Sequence, residues 1–152
     1  EFVIVERMTA PLPQVQQVLT TEQLAALQDQ VDQVYVDPVL IEYAVQIVNA
    51  TRHPGNYGLK DLGRYLTFGA SPRASINLIL AARALAFVRG RTYALPQDVR
   101  DLVLDVIRHR LVLSYEALSD NVTSDALLLQ VLERIPVPVV PLHEHSQRRA
   151  HS

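Results

Sequence analysis

Between Gly69 and Gly90 the chain carries a single helical pattern whose two ends are marked by residues that leave few alternatives. Gly69 can take backbone angles that a side chain forbids, Ser71 suits an N-cap, and Pro72 suits the first helical position, where a missing N–H costs nothing. Ile76, Ile79, Leu80, Leu85, Ala86 and Val88 carry the helix on to Gly90, which is placed to end it in a left-handed turn. Burying four of its large aliphatic side chains is worth roughly 1.5–3 kcal/mol each, so this helix is expected at the centre of the fold. Its start puts Arg73 in the first turn, where the helix dipole disfavours a cation by ~0.3–1 kcal/mol. An arriving phosphate reverses that sign, because free backbone N–H groups and the guanidinium fork then act on it together. Ser71, Pro72 and Arg73 are therefore the candidate binding residues, an anion-facing helix start. An arginine that points into water or pairs with a nearby carboxylate is the structural alternative.

Four further helices are expected around this one. Thr20-Thr21-Glu22-Gln23 offers a capping hydroxyl before Leu24, Leu27, Val31 and Val34. Asp37-Pro38 is a second cap-plus-proline start, and Leu40, Ile41, Ala44, Val45, Ile47 and Val48 form a broad apolar face expected to be buried as far as Thr51. Pro96 opens another helix through Val99, Leu102, Val103, Val106 and Ile107. Leu95 before it has no capping side chain, so water or a neighbouring loop is expected to satisfy that start. Thr123-Ser124-Asp125 caps the last helix, with the face Leu127, Leu128, Val131, Leu132 and Ile135. Residues 1–8 read as either a short strand or the last turns of a helix, residues 14–19 as an extended connector, and Leu111-Val112-Leu113 as a short extended piece. His53 to Gly69 is a long, glycine-interrupted segment whose Tyr57, Tyr65 and Phe68 suggest packing, with a helical turn over Asp61 to Tyr65. The fold class is thus all-α, a small bundle of about five helices with a long loop before the central one.

Composition narrows the function classes. The 152 residues, 49% of them hydrophobic, suffice for one domain with a core. A net charge of −2 provides no global field for drawing in nucleic acid, and no apolar run approaches the ~20 residues that span a bilayer. No cysteine is present, so disulfides and thiolate metal sites are excluded. No Gly-x-x-x-x-Gly-Lys-Ser/Thr phosphate loop occurs, and Lys60 is followed by Asp61. Arg108-His109-Arg110 reads as cations closing a helix, and Asp98, Asp101 and Asp105 as a solvated acidic face. His143-Glu144-His145 lacks a spaced third or fourth ligand, so no metal site is assigned. Asn49-Ala50-Thr51 and Asn121-Val122-Thr123 are read as chance matches to the glycosylation pattern. A first residue of Glu1 instead of methionine leads to the expectation of a longer parent protein.

The run Gly69-Ala70-Ser71-Pro72-Arg73-Ala74-Ser75, followed by Asn77-Leu78-Ile79-Leu80-Ala81-Ala82-Arg83-Ala84-Leu85-Ala86, resembles the second sensor motif in the C-terminal lid of MoxR-type AAA+ ATPases. Arg89-Gly90-Arg91-Thr92-Tyr93, Pro96-Gln97-Asp98-Val99 and Val106-Ile107-Arg108-His109-Arg110-Leu111 follow in that family's order and spacing. Thr51-Arg52 and the segment around Tyr57-Gly58-Leu59 are similar to it as well, so the resemblance covers residues 20–138. It implies a connector from an ATP-binding core over residues 1–19, helical in preference to strand over 1–8, and a helical lid over 20–135, while the aperiodic mix of His, Arg, Glu and Ser leads to the expectation of a mobile tail over 136–152. It implies nucleotide sensing by Arg73, presented by Ser71 and Pro72, with no catalytic residue in this segment. ATP and Mg2+ would be held mainly by the core, none binding tightly to the segment alone, and ATP hydrolysis would belong only to the full-length protein. The implied setting is a cytoplasmic ring, a hexamer, that acts in chaperone-like maturation or assembly of other proteins. Its implied partners are the upstream core, neighbouring subunits and von Willebrand factor A domain proteins, with no nucleic acid and no membrane insertion. The rival expectations are a stand-alone helical interaction module and a nucleic-acid-binding helical domain.

Overall fold

The computed structural model describes residues 1–9, 11 and 14–139. The chain divides into two compact units, Glu1–Gln30 and the part that begins at Val31. In the first, helix α1 (Phe2–Thr9) buries none of its residues, and the expected preference for helix over strand holds there. Helix α2 (Thr21–Asp32) begins in this unit. Its start is a reciprocal capping box, in which Gln23 N–H donates to Thr20 Oγ1 at 3.2 Å and Thr20 N–H donates to Gln23 Oε1 at 2.9 Å.

The second unit holds the core. Helices α3 (Pro38–Arg52), α4 (Pro72–Val88), α5 (Pro96–Ile107), α6 (Tyr115–Ser119) and α7 (Ser124–Arg134) are joined by 3-10 turns at Pro54–Tyr57, Lys60–Tyr65 and Arg108–Arg110. Strands β1 (Leu66–Phe68) and β2 (Val112–Leu113) pair antiparallel, with Leu66 opposite Leu113 and Phe68 opposite Val112. The five helices expected from caps and periodicity are α2, α3, α4, α5 and α7. The sequence reading omitted β1 and α6, because three and five residues are too few for either period to register. Two caps behave as their residue types predict: Asp37 accepts from Val39 N–H at 2.9 Å, and Thr123 accepts from Ala126 N–H at 3.2 Å.

The central helix is buried by a different set of residues from the one expected. Its core-facing stripe is Ala74, Leu78, Ala82 and Ala86, each four residues from the next, whereas Ile76, Leu80 and Val88 are exposed. Alanines on the inner face let neighbouring backbones come close, so α4 packs against α3 and α5 without needing bulky side chains. Ile47, Val48, Val99, Val103, Ile107, Leu127, Leu128 and Val131 supply that bulk from the surrounding helices. At its far end α4 finishes as expected at Gly90, with φ of 73°. Gly90 N–H donates to Phe87 O at 2.8 Å and Arg91 N–H to Ala86 O at 2.9 Å, the paired bonds of a Schellman ending.

One sequence expectation fails where α4 hands over to α5. Asp98 does not belong to a solvated face: it is fully buried, and only Asp101 and Asp105 are exposed. Arg91 grips Asp98 with both terminal nitrogens, at 2.8 and 2.5 Å, and Arg89 adds a third bond at 2.8 Å. Asp98 also reaches back to accept from the N–H of Leu95, the N-cap residue, at 2.7 Å, while Leu95 itself makes no side-chain cap bond. Arg89 also bonds Asp101 at 2.6 Å. Burial pushes the Asp98 carboxyl up, but the bonds from Arg91, Leu95 N–H and Arg89 outweigh it and hold the group below the usual carboxylate range. A depressed folded-state value means that stabilisation is complete above the unfolded value of about 3.9 and is lost as pH falls through the folded one. Acid unfolding monitored by circular dichroism should therefore be steeper below about pH 4 in the parent than in Asp98→Asn. Asp98→Ala, which strands Arg91, should lower stability at pH 7 by ~3–5 kcal/mol in urea titrations.

Candidate functional site at the start of helix α4

The launch of α4 is set by a contact with the end of α3. Thr51 is 2% exposed; its hydroxyl donates to Val48 O at 2.7 Å and accepts from Ala70 N–H at 3.0 Å. Gly69 lies so close to the same residue that a Cβ built on it would stand 2.3 Å from Thr51 O and 2.7 Å from Arg52 N. Glycine is thus required here by close approach and not by unusual backbone angles, because only Gly58 and Gly90 have positive φ among the described glycines.

Ser71 occupies the N-cap position with extended angles, φ −70° and ψ 162°, and Pro72 is the first helical residue, both as expected. The capping chemistry differs: the Ser71 side chain makes no cap hydrogen bond. Its carbonyl accepts from Ala74 N–H at 2.8 Å, which leaves the Arg73 N–H without a hydroxyl acceptor from Ser71. Arg73 is exposed, and among the described residues no hydrogen bond or ion pair holds its guanidinium. The first turn of α4 thus presents a cation and a helix N-terminus to the outside, an arrangement chemically suited to a phosphate oxygen.

Beside this start runs a groove of about 400 Å³ between α3 and α4, lined by Ile41 and Val45 on one side and Pro72, Ile76 and Leu80 on the other. Ile41 and Val45, expected inside, are 47% and 46% exposed. Arg52 closes one wall; its Nε is buried without a hydrogen-bond partner, and an Nη donates weakly to Asn49 Oδ1 at 3.4 Å. Sequence reasoning noted Thr51-Arg52 for its family resemblance and its place at the end of a helical pattern but did not assign the pair to this corner. The Arg108-His109-Arg110 cations stand at the end of α5, where they are expected to close that helix: Arg108 Nε donates to Leu104 O at 3.0 Å and Arg110 Nε to Val106 O at 2.8 Å. His143, Glu144 and His145 lie outside the described residues. No described helix is long and apolar enough to cross a membrane.

Residues 62–131 match the family model of the AAA lid domain. The chain is 44% identical over 146 residues to Chaperone MoxR1 of Mycobacterium tuberculosis, an alignment covering 94% of this chain and 39% of that protein. The chain carries an AAA+ lid of the MoxR type. Protein MoxR of Paracoccus denitrificans is 37% identical over 110 residues, covering 68% of this chain and 32% of that one. The crystal structure of a candidate ATPase from Cytophaga hutchinsonii superposes on the lid with a TM-score of 0.80 at 28% identity, covering 91% of this chain and 42% of that one. The chain therefore spans about two fifths of the first of these relatives. The matched lid segment includes β1, α4 and α5 and begins after α3, so the Thr51 seat and the α3 wall of the groove lie outside it.

Three substitutions separate seating from capping in this lid. Gly69→Ala should cost about 3 kcal/mol in urea unfolding, because the new methyl meets backbone atoms that cannot give way. Ser71→Ala should change stability by less than about 0.5 kcal/mol, whereas Thr123→Ala, which removes a bonded cap, should cost about 1 kcal/mol.

Proposed function

We propose that this lid senses the nucleotide held in the ATP-binding core of a longer MoxR-type AAA+ ATPase and converts ATP binding and hydrolysis into movement between domains. The observation that carries the reading is Arg73: exposed, unpaired among the described residues, and seated at a helix N-terminus whose N-cap side chain is not spent on capping. An arginine so placed costs a little in the free lid and gains when a terminal phosphate arrives, so the ATP and ADP states bind the lid with different free energies. That difference is the necessary condition for any nucleotide-driven rearrangement.

In this reading the lid supplies one face of the nucleotide site, and the core holds ATP and Mg2+ with its own phosphate loop and acidic residues. The Arg73 fork and the first-turn N–H groups suit a phosphate oxygen. The core also covers Ile41, Val45, Ile76 and Leu80, whose helical spacing is that of buried positions although the lid itself leaves them open. Residues 1–19 serve as the connector, 20–135 as the lid, and 136–152 as a tail. The full-length protein hydrolyses ATP as a cytoplasmic ring, a hexamer, and acts in chaperone-like maturation or assembly of other proteins together with von Willebrand factor A domain partners. The segment alone does not turn over ATP.

Arg73→Ala in the full-length protein should leave the lid's thermal unfolding unchanged and reduce ATP turnover by roughly tenfold or more. Arg73→Lys, which keeps the charge but loses the fork, should fall between the two. Steady-state ATPase assays on the three proteins decide the matter, and turnover equal to the parent in Arg73→Ala overturns the assignment.

A further inference from the structure

Helix α7 ends in Arg134, where a cation suits the dipole and needs no other purpose. Its side chain is nevertheless held in a fixed place. Arg134 Nε donates to Tyr57 O at 2.6 Å, and the guanidinium then lies across Gly58. Gly58 closes the Pro54–Tyr57 turn with φ of 74°, and a Cβ there would stand 2.8 Å from Arg134 Nη2 and 3.3 Å from Cζ. Glycine is thus favoured by its angle, and a side chain there would push aside the arginine fork that lies on it. No described carboxylate lies within ion-pair distance of the two Nη groups, although Glu133 is the adjacent residue. The fork borders a polar notch of about 340 Å³ whose wall also carries Gln46 and Asn56. Asn56 makes no side-chain hydrogen bond among the described residues, and Gln46 only a long one, 3.4 Å, to Glu42.

We propose that this notch is an oxyanion site fitted to a carboxylate, gripped by the Arg134 fork with the Asn56 and Gln46 amides alongside. A guanidinium whose Nε is already anchored presents its remaining N–H groups at a set angle, so less side-chain freedom is lost when a planar carboxylate meets it. One cation balances one negative charge, which favours a carboxylate over a doubly charged phosphate, and the chain's net charge of −2 adds no field to offset the second charge. Such a carboxylate is the acidic side chain of a polypeptide or a free small acid. The site shares no residue with the start of α4 and does not depend on the nucleotide reading.

The test is a titration of the 15N-labelled 152-residue chain at constant ionic strength. It follows the Arg134 Nε–H and the Asn56 side-chain amide by NMR. The probes are the blocked peptide acetyl-Ala-Asp-Ala-amide, sodium acetate, inorganic phosphate and sodium chloride. Saturable shifts at both groups are expected with the peptide and acetate, and the affinity, read at the Asn56 amide in Arg134→Gln and at the Arg134 Nε–H in Asn56→Ala, is expected to weaken roughly tenfold or more. Tighter binding of the peptide than of acetate assigns the site to a polypeptide, and equal binding assigns it to a free acid. Asn56→Ala keeps the Arg134–Tyr57 bond and carries the test if Arg134→Gln disturbs folding. The proposal fails if the shifts match those of chloride, if phosphate binds more tightly than either carboxylate, or if both variants bind as the parent does.

Discussion

The structure depends on one seat: the backbone of Gly69 and Ala70 pressed onto Thr51 at the end of α3. A single buried hydroxyl joins the two segments, donating to the turn behind it and accepting from the strand-like stretch in front. Because the donor and acceptor are both satisfied within the core, the contact avoids the penalty of a buried polar group while fixing where α4 begins. Arg73 inherits its place from this contact, three residues after Ala70.

The rest of α4 is held by two different means. Along its length an alanine-rich stripe permits close helix approach, so dispersion contacts among backbones and the larger side chains of α3, α5 and α7 replace bulk on α4 itself. At its end the Asp98 carboxylate gathers Arg91, Arg89 and the Leu95 N–H into one network. A charge buried this completely is tolerable because every approach to it is a donor. The large aliphatic residues freed from the inner face, Ile76 and Leu80, define the open groove beside the helix start.

Much of this was legible beforehand. Ser71-Pro72, Asp37-Pro38 and Thr123-Ser124 each announced a helix start, Gly90 announced an ending, and the faces of α5 and α7 obeyed the helical period. The family resemblance carried by Gly69 to Ala86 agreed with the match to the AAA lid domain. What escaped detection was tertiary. Periodicity says that Ile41 and Val45 belong inside something, but not that α3 leaves them open. Asp98 carries the same letter as the exposed Asp101 and Asp105, and only the return of Arg91 across the turn distinguishes it. Gly69 was recognised as special for a local reason, whereas the actual one is a neighbour contributed by a segment eighteen positions earlier.

The Asp98 network has a mechanical consequence. A helix of 17 residues is about 25 Å long, so its pinned end and Arg73 stand on opposite extremities of a stiff rod. With the far extremity knotted to α5, tilting the rod by about 5° sweeps the arginine through about 2 Å, a large fraction of a hydrogen-bond length. The Asp98 network at one end and the Thr51 seat at the other together hold the direction of the rod, so a salt bridge loosened at Asp98 is felt at the arginine through the length of the helix.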